Sequence, residues 1–455
     1  MGAAGPRSTD AARPPYLWTG LGFLAFFILS AFLPQARNVF PSQLPPLLVR
    51  WDPLLGADLL APALTLGLAA LLYRRLLTMK VGPMLLILVA LATLLSICIA
   101  AETGRIKTYH WSRPASVNAI VVAPLTRSDQ YFRNVQTVQT LGPLEYARQF
   151  PALDAPGRKI LALHTTTHPP GAVIALWAIW RLMFKSPTAT AYAETAIGMS
   201  TLVAAYFIAS ELGGEAAGRR AAVLFAACPG VLVYTTTSTD ALFMAAVGWA
   251  TVALVRAHKS KGWALAAGTS AFLATLMTWG ALALGFIGLG LLLTYRPDHD
   301  RWDAGKRGLL LALAAFLGLI GLLRIILGVD LVAAFRATSH YQLVDPAFHR
   351  SYAYWVVGNI VAIFFSLGLA NTALLIARTR QMVGKQRWCI ESVFWAALVT
   401  ASVSGVFRGE TDHNWLFFLP LGVALAAQQA IEAAGPASAG IVQAVAVEAL
   451  FYTFW

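Results

Sequence analysis

Charged residues are scarce in this chain. Of its 455 residues, 12% are Asp, Glu, Lys or Arg, about half the share of an ordinary soluble domain. So few charges cannot cover the water-facing surface of a protein of this size, and 58% hydrophobic residues exclude disorder. Cysteine is also rare. Cys98, Cys228 and Cys389 stand far apart in or at the end of apolar runs, and no CxxC occurs. Neither a disulfide framework nor a cysteine metal site is expected. What the chain has instead is long apolar sequence, with a mean hydropathy of +0.65. The reading is an all-α, polytopic membrane protein. Its net charge of +13 belongs to loops that set topology, so no nucleic-acid partner is expected.

A span needs about 20 apolar residues. Candidate spans lie near 17–34, 57–73, 82–101, 189–211, 219–236, 241–257, 263–278, 279–295, 308–328, 353–377, 389–407, 415–431 and 438–455, about 13 in all. The first run continues into a full span, so no cleavable signal peptide is expected, and residues 1–16 read as a cytoplasmic tail. Basic clusters such as Arg219/Arg220, Arg256/Lys259/Lys261 and Arg378/Arg380 fall on the same side as Arg7 and Arg13. That side is expected to be cytoplasmic. The apolar stretch Gly171 to Phe184 is short and would invert this parity if it crossed. It reads as a re-entrant or interfacial helix on the outer face, with a true span as the competing reading.

The outer face then carries a long loop at 102–188, a medium one at 330–352 and a short one at 408–414. Six of the eight histidines lie there: His110, His164, His168, His340, His349 and His413. In the long loop, the spacing of Tyr131, Phe132, Val135, Val138 and Leu141 predicts an amphipathic helix from Asp129 to Arg148 lying on the membrane, broken at Gly142–Pro143. Asp129 would start it, either as a surface residue or as a carboxylate at a site. His164-Thr-Thr-Thr-His168-Pro-Pro reads as a polar extended strand, because β-branched residues and a diproline disfavour helix. Two histidines four apart could otherwise share a metal ion. Asp240 is either an N-cap or a functional carboxylate. Arg336, His340, Tyr341, His349, Arg350 and Tyr352 in the medium loop either bind phosphate or are solvated. Arg408, Glu410, Asp412 and His413 crowd seven residues between two apolar runs, a density that favours a site.

These residues together resemble the GT-C superfamily of polyprenyl-phosphate-sugar-dependent glycosyltransferases. Ser128-Asp129-Gln130-Tyr131-Phe132 stands where that superfamily has an acid ahead of an aromatic in its first outer loop. His168-Pro169-Pro170-Gly171 is similar to the turn that closes the loop in protein mannosyltransferases and lipid A aminoarabinose transferases. Gly213-Gly214, Arg219, Pro229 and Asp240 follow in order, then Gly409-Glu410-Thr411, Trp415 and Pro420. The resemblance runs from about Gly82 to Trp455 and implies two parts. Residues 1–81 hold a tail and two extra spans, and 82–455 form the catalytic module with its outer loop at 102–188. Many members carry a pair of acids where this chain has Asp129 alone, which leaves open whether a divalent metal ion takes part.

The implied activity is inverting transfer of a pentose or hexose, mannose-like as a first guess, from a polyprenyl phosphate to an acceptor hydroxyl on a glycan, lipid or protein. It would occur on the extracytoplasmic face of the plasma (inner) membrane. Asp129 would be the base. His168, Arg181, Lys185, Arg336, His340, Arg350 and Arg408 would hold the donor phosphate. His164, Tyr131, Asp240, Glu410, Asp412 and His413 are further site candidates. Two other classes are alternatives. A secondary transporter would have as many spans but would normally show an internal repeat. Another lipid-modifying transferase would need a nucleophile, for which His164, Thr166 and His168 could serve.

Overall fold

The structure, a computed structural model, describes residues 14–33, 46–47, 49–51, 72–73, 75–102, 117–154, 160–236, 238–344, 350–383 and 389–452. The chain before residue 14, most of the expected span at 57–73, and His110 and His349 lie outside the described residues. The described elements are helical except for one short antiparallel pair, Arg50–Trp51 with Phe451–Tyr452.

Among the described residues three helices are long and apolar enough to cross a bilayer: Val81–Ala100, Pro187–Gly213 and His299–Leu327. The stretch expected as one span at 353–377 is instead two helices, Tyr352–Leu367 and Leu369–Val383, bent by 109°. The bend falls at Gly368, whose φ is +93°. Counting that pair as one span gives four, so length and composition do not reproduce the 13 expected. The physical reason is breakage. Other apolar runs end after 10–17 residues, as in Ile390–Val403 and Ala434–Leu450, and a 17-residue helix is only about 26 Å long. The run expected at 219–236 is likewise divided. Helix Glu215–Ala226 stops, and Pro229, which has no N–H to give the preceding turn, opens a new helix to Tyr234.

The core lies where helices Thr201–Gly213, Glu215–Ala226, Asp240–Arg256 and Leu419–Gln429 pack together. Ala204, Ala205, Ala209, Ala221 and Ala222 are fully buried there. Small side chains let backbones approach closely, which is how membrane helices gain packing energy without help from water. Helix His299–Leu327 is the opposite case. Only 6% of its apolar window is buried, and it turns Leu310, Leu313, Leu317 and Ile325 outward.

The long outer loop differs from its expected form. Asp129 precedes the helical part, which begins as a tight turn at Tyr131–Asn134, continues as helix Val135–Leu141, and breaks at Gly142 (φ +81°) before Pro143–Leu153. The break is where Gly-Pro places it. The apolar face does not lie on a membrane. Tyr131, Val135 and Val138 are buried in one cluster with Val173 and Leu176 of helix Gly171–Leu182. That helix also packs against helix Lys261–Met277. A Cβ at Gly171 would collide with the Leu276 carbonyl, so the glycine after the diproline permits the contact.

Candidate active site

Asp129 sits in the turn between helix Val117–Thr126 and the Tyr131 turn. Arg127 grips it with two hydrogen bonds, Nη2 to Oδ2 at 2.6 Å and Nε to Oδ1 at 3.1 Å. The His164 backbone N–H donates to the Asp129 carbonyl at 3.1 Å, and His164 Nε2 lies 3.7 Å from Oδ2. Partial burial pushes the carboxyl upward, but His164 and the Arg127 charge outweigh it and hold the group well below the usual carboxylate range. Asp129 is therefore an anion with 29% of its side chain exposed, enough to meet a substrate.

The segment His164–His168 is not an extended strand. Thr165–Thr167 form a single 3-10 turn, because threonine hydroxyls satisfy nearby carbonyls. Thr166 Oγ1 donates to Leu163 O at 2.6 Å and Thr167 Oγ1 to His164 O at 3.0 Å. Hydroxyls so engaged are poor candidates for an activated nucleophile. His168 hydrogen-bonds through Nδ1 with the Tyr131 hydroxyl at 2.9 Å and stacks on Phe243 at 4.8 Å. Burial, with some repulsion from His164, lowers its pKa to about 3. His168 is thus neutral and positions Tyr131.

A second group of polar side chains meets the first from the far end of the chain. Thr239, not Asp240, is the N-cap of helix Asp240–Arg256. Asp240 Oδ2 accepts from Ser238 at 2.6 Å and lies 4.0 Å from His413 Nε2, while Oδ1 makes no hydrogen bond. Capping therefore does not explain this buried carboxylate. His413 Nδ1 lies 3.5 Å from Asp412 Oδ1, and the other Asp412 oxygen accepts from the Tyr234 hydroxyl at 2.5 Å. Burial would make His413 less basic. Asp412 first, then Asp240 and Glu410, outweigh burial and raise its pKa above the ordinary histidine value. Asp240 and Glu410 both act electrostatically on His164 and on Tyr131. The fold thus gathers Asp129, Tyr131, His164, His168, Asp240, Glu410, Asp412 and His413 into one constellation from four segments of the chain.

The loop 405–414 is shaped for this. Gly405, Gly409 and Glu410 all have positive φ, at 68°, 96° and 60°. Glu410 is a non-glycine residue in the left-handed region, a strained conformation that the surroundings must hold. Arg350 does so: its Nη2 pairs with Glu410 and its Nη1 donates to the Arg408 carbonyl at 2.7 Å. Asn359 clamps the same loop, accepting from Gly409 N at 2.9 Å and donating to Phe407 O at 2.7 Å.

The expected phosphate-binding cations divide. Arg350 is committed to Glu410. Arg408 borders the constellation, part-buried, and donates to the carbonyls of Gly405 and Arg350 at 3.1 and 3.2 Å. Arg181 is not brought there. It lies ten residues along the helix from Gly171, roughly 15 Å away, over Trp177 and beside Gln139. Lys185 lies farther on, over Trp180. Helix Leu331–Val344 packs on the Thr165–Thr167 turn, and Leu331, Ala334 and Thr338 are its buried residues. Arg336 and His340, one turn apart on another face, are exposed. Among the described residues no group of three or more His, Cys, Asp or Glu is placed to hold a metal ion. Two contributors were not expected as site residues. Asn359 was visible as a lone amide in an apolar run. Tyr234 gave no signal.

Residues 167–323 match the family model of dolichyl-phosphate-mannose-protein mannosyltransferases. The matched stretch begins at the turn before His168 and includes Asp240. The match covers less than half of the chain. Among solved structures, the oligosaccharyltransferase of Archaeoglobus fulgidus in its apo form is matched with a TM-score of 0.41 and 12% identity, over 81% of this chain and 56% of that one. The chain therefore spans just over half the length of that protein. No curated protein matches the sequence.

Proposed function

We propose that this chain is an inverting glycosyltransferase that moves a sugar from a polyprenyl phosphate to an acceptor hydroxyl at the outer face of the membrane. The observation that carries the reading is the convergence of an ionised, partly exposed Asp129 with His413, Glu410 and Asp240 from the opposite end of the chain. The acceptor oxygen attacks the anomeric carbon, the bond from that carbon to the phosphate oxygen breaks, and the lipid phosphate leaves. Asp129 takes the acceptor proton. Its clamp by Arg127 reduces its basicity in the resting site, so the guanidinium must move toward the developing phosphate charge as the reaction proceeds. Arg408, and His413 made more basic by its carboxylate neighbours, are the other groups on hand for that charge. One displacement inverts the anomeric centre.

In this reading the chain has about 13 crossings, with residues 82–455 as the catalytic module and 102–188 as its outer catalytic loop. The donor sugar is a pentose or hexose and the acceptor a glycan, lipid or protein of the cell envelope. The test compares lipid-linked sugars extracted from cells with and without the gene. A polyprenyl-phosphate sugar that accumulates when the gene is absent supports the reading. An unchanged lipid-linked pool together with an unchanged envelope glycan profile overturns it.

A further inference from the structure

Beside the constellation lies a small polar pocket, with room for about one water-sized group. Its lining includes Glu194, Thr195, Thr235 and Ser238 together with the apolar Val121 and Leu125. Glu194 and Thr235 are only 6% and 1% exposed. Glu194 Oε1 and Thr235 Oγ1 make no hydrogen bond although both are shut away from solvent. The other hydroxyls of the lining are engaged: Thr236 with Ser96 at 2.6 Å, Ser238 with Asp240 at 2.6 Å, and Thr195 with the Ala191 carbonyl at 3.0 Å. Thr239, also in the lining, hydrogen-bonds with the Glu194 carboxyl, so one carboxyl oxygen and one hydroxyl are left at the pocket, and they require a partner that accepts from one and donates to the other.

The chemistry of the lining restricts that partner. An anion would meet Glu194 and, close by, Asp240. A metal ion would have one carboxylate where it needs several ligands, and no cluster of ligands exists among the described residues. A hydroxyl fits: its proton goes to Glu194, its oxygen accepts from Thr235, and its carbon rests on Val121 and Leu125. Glu194 stands seven residues into helix Pro187–Met199 and is buried there, so the partner it meets is one held inside the fold. We propose that this pocket binds one hydroxyl of the sugar carried by the polyprenyl phosphate, and so selects the donor. The inference rests on the glycosyl-transfer reading above.

The test measures affinities of the purified full-length protein for bare polyprenyl phosphate and for polyprenyl phosphates bearing mannose, glucose or arabinofuranose. The wild type should prefer one sugar-bearing lipid to the bare one. Glu194→Gln and Thr235→Val should each weaken that preferred lipid about tenfold, the usual cost of a lost hydrogen bond to a charged or buried group. Affinity for the bare lipid should change less than twofold, and Thr235→Ser should behave as wild type. Should Glu194→Gln not fold, the Thr235 pair decides alone. If the wild type discriminates and both Thr235 variants do so equally well, the pocket holds only water and the proposal falls while the transferase reading stands. If the wild type prefers no sugar-bearing lipid over the bare one, the transferase reading itself fails, and the pocket assignment with it.

Discussion

At the scale of single residues, the argument turns on Asp129. It competes for the role of base with Glu145, Asp154, Asp240, Glu410 and Asp412. Glu145 is tied to Arg148 and Gln149 on an exposed face, and burial raises the Asp154 carboxyl to about 8. Glu410 is neutralised by Arg350, and Asp412 is held by Tyr234. Asp129→Asn keeps the size but cannot take a proton. Transfer should fall roughly 10²-fold or more while donor affinity is unchanged, as measured by turnover and lipid binding in parallel. Near wild-type turnover in Asp129→Asn, with loss in Asp240→Asn, would move the base to Asp240. Because Arg127 and His164 depress the Asp129 pKa, the acidic limb of the pH–rate profile should lie below the ordinary carboxylate range. In Arg127→Ala that limb should shift to higher pH, and turnover should also fall if Arg127 serves the leaving phosphate. For Arg408→Ala, the donor requirement should rise about tenfold or more, with Arg408→Lys milder, since a charged hydrogen bond is lost. Asp129 and His168 were picked out in the sequence by the motifs they stand in and Glu410 by the density of charge around it, and the fold does bring these three segments together. The roles of Arg181 and Arg336 were not legible there, because sequence cannot say which way a helix turns its charged face.

At the scale of elements, breaks were easier to read than what lies between them. Gly142–Pro143 ends a helix where expected, and the density of charge at 408–414 does mark a built loop. The Thr165–Thr167 turn was misread as a strand, because β-branching disfavours regular helix but says nothing about a single turn closed by threonine hydroxyls. The bend at Gly368 was hidden inside an unbroken apolar run. The loop 405–414 yields the test at this scale. Arg350 and Glu410 are nearly shut away from solvent, at 7% and 12% side-chain exposure. Burial alone would raise the Glu410 pKa, and the Arg350 charge more than reverses this. A carboxylate depressed in this way stabilises the fold above its unfolded pKa and loses that contribution as the pH falls through its folded pKa. Arg350→Met should leave Glu410 buried without its counter-charge and destabilise by about 3 kcal/mol, the scale for breaking a buried pair. Arg350→Met with Glu410→Gln should recover a good part of that loss. Thermal melts of the four proteins in detergent give the coupling. Additive losses would mean that Glu410 holds its left-handed conformation without Arg350.

At the scale of the whole molecule, the open question is the path of the chain across the bilayer, and one segment decides it. Helix Gly171–Leu182 is 12 residues long, about 18 Å, and falls well short of the roughly 30 Å hydrocarbon core. Its first turn carries the His168 end into the site, and its far end is followed by Phe184 and Lys185, both with positive φ. That sharp reversal leads directly into Pro187–Gly213, which is long enough to cross. If the short helix stays on the outer side, Lys185 faces outward, the Pro187–Gly213 helix crosses inward, and Glu215, Arg219 and Arg220 reach the cytoplasm, as the basic clusters require. If it crosses instead, every later loop changes side. Asp240, His413 and Asp129 could then no longer share a face, although they lie together in the folded chain. The site itself therefore argues that the helix does not cross. Cysteines at Lys185 and at Ala216, both exposed positions, test this against the native thiols. Two of the native thiols, Cys228 and Cys389, are buried and Cys98 is partly so. An impermeant thiol reagent added to intact cells should label Lys185→Cys. Ala216→Cys should react only after the membrane is opened. Labelling of Ala216→Cys from outside would place Arg219 and Arg220 there as well and reverse the orientation of every segment after Met199.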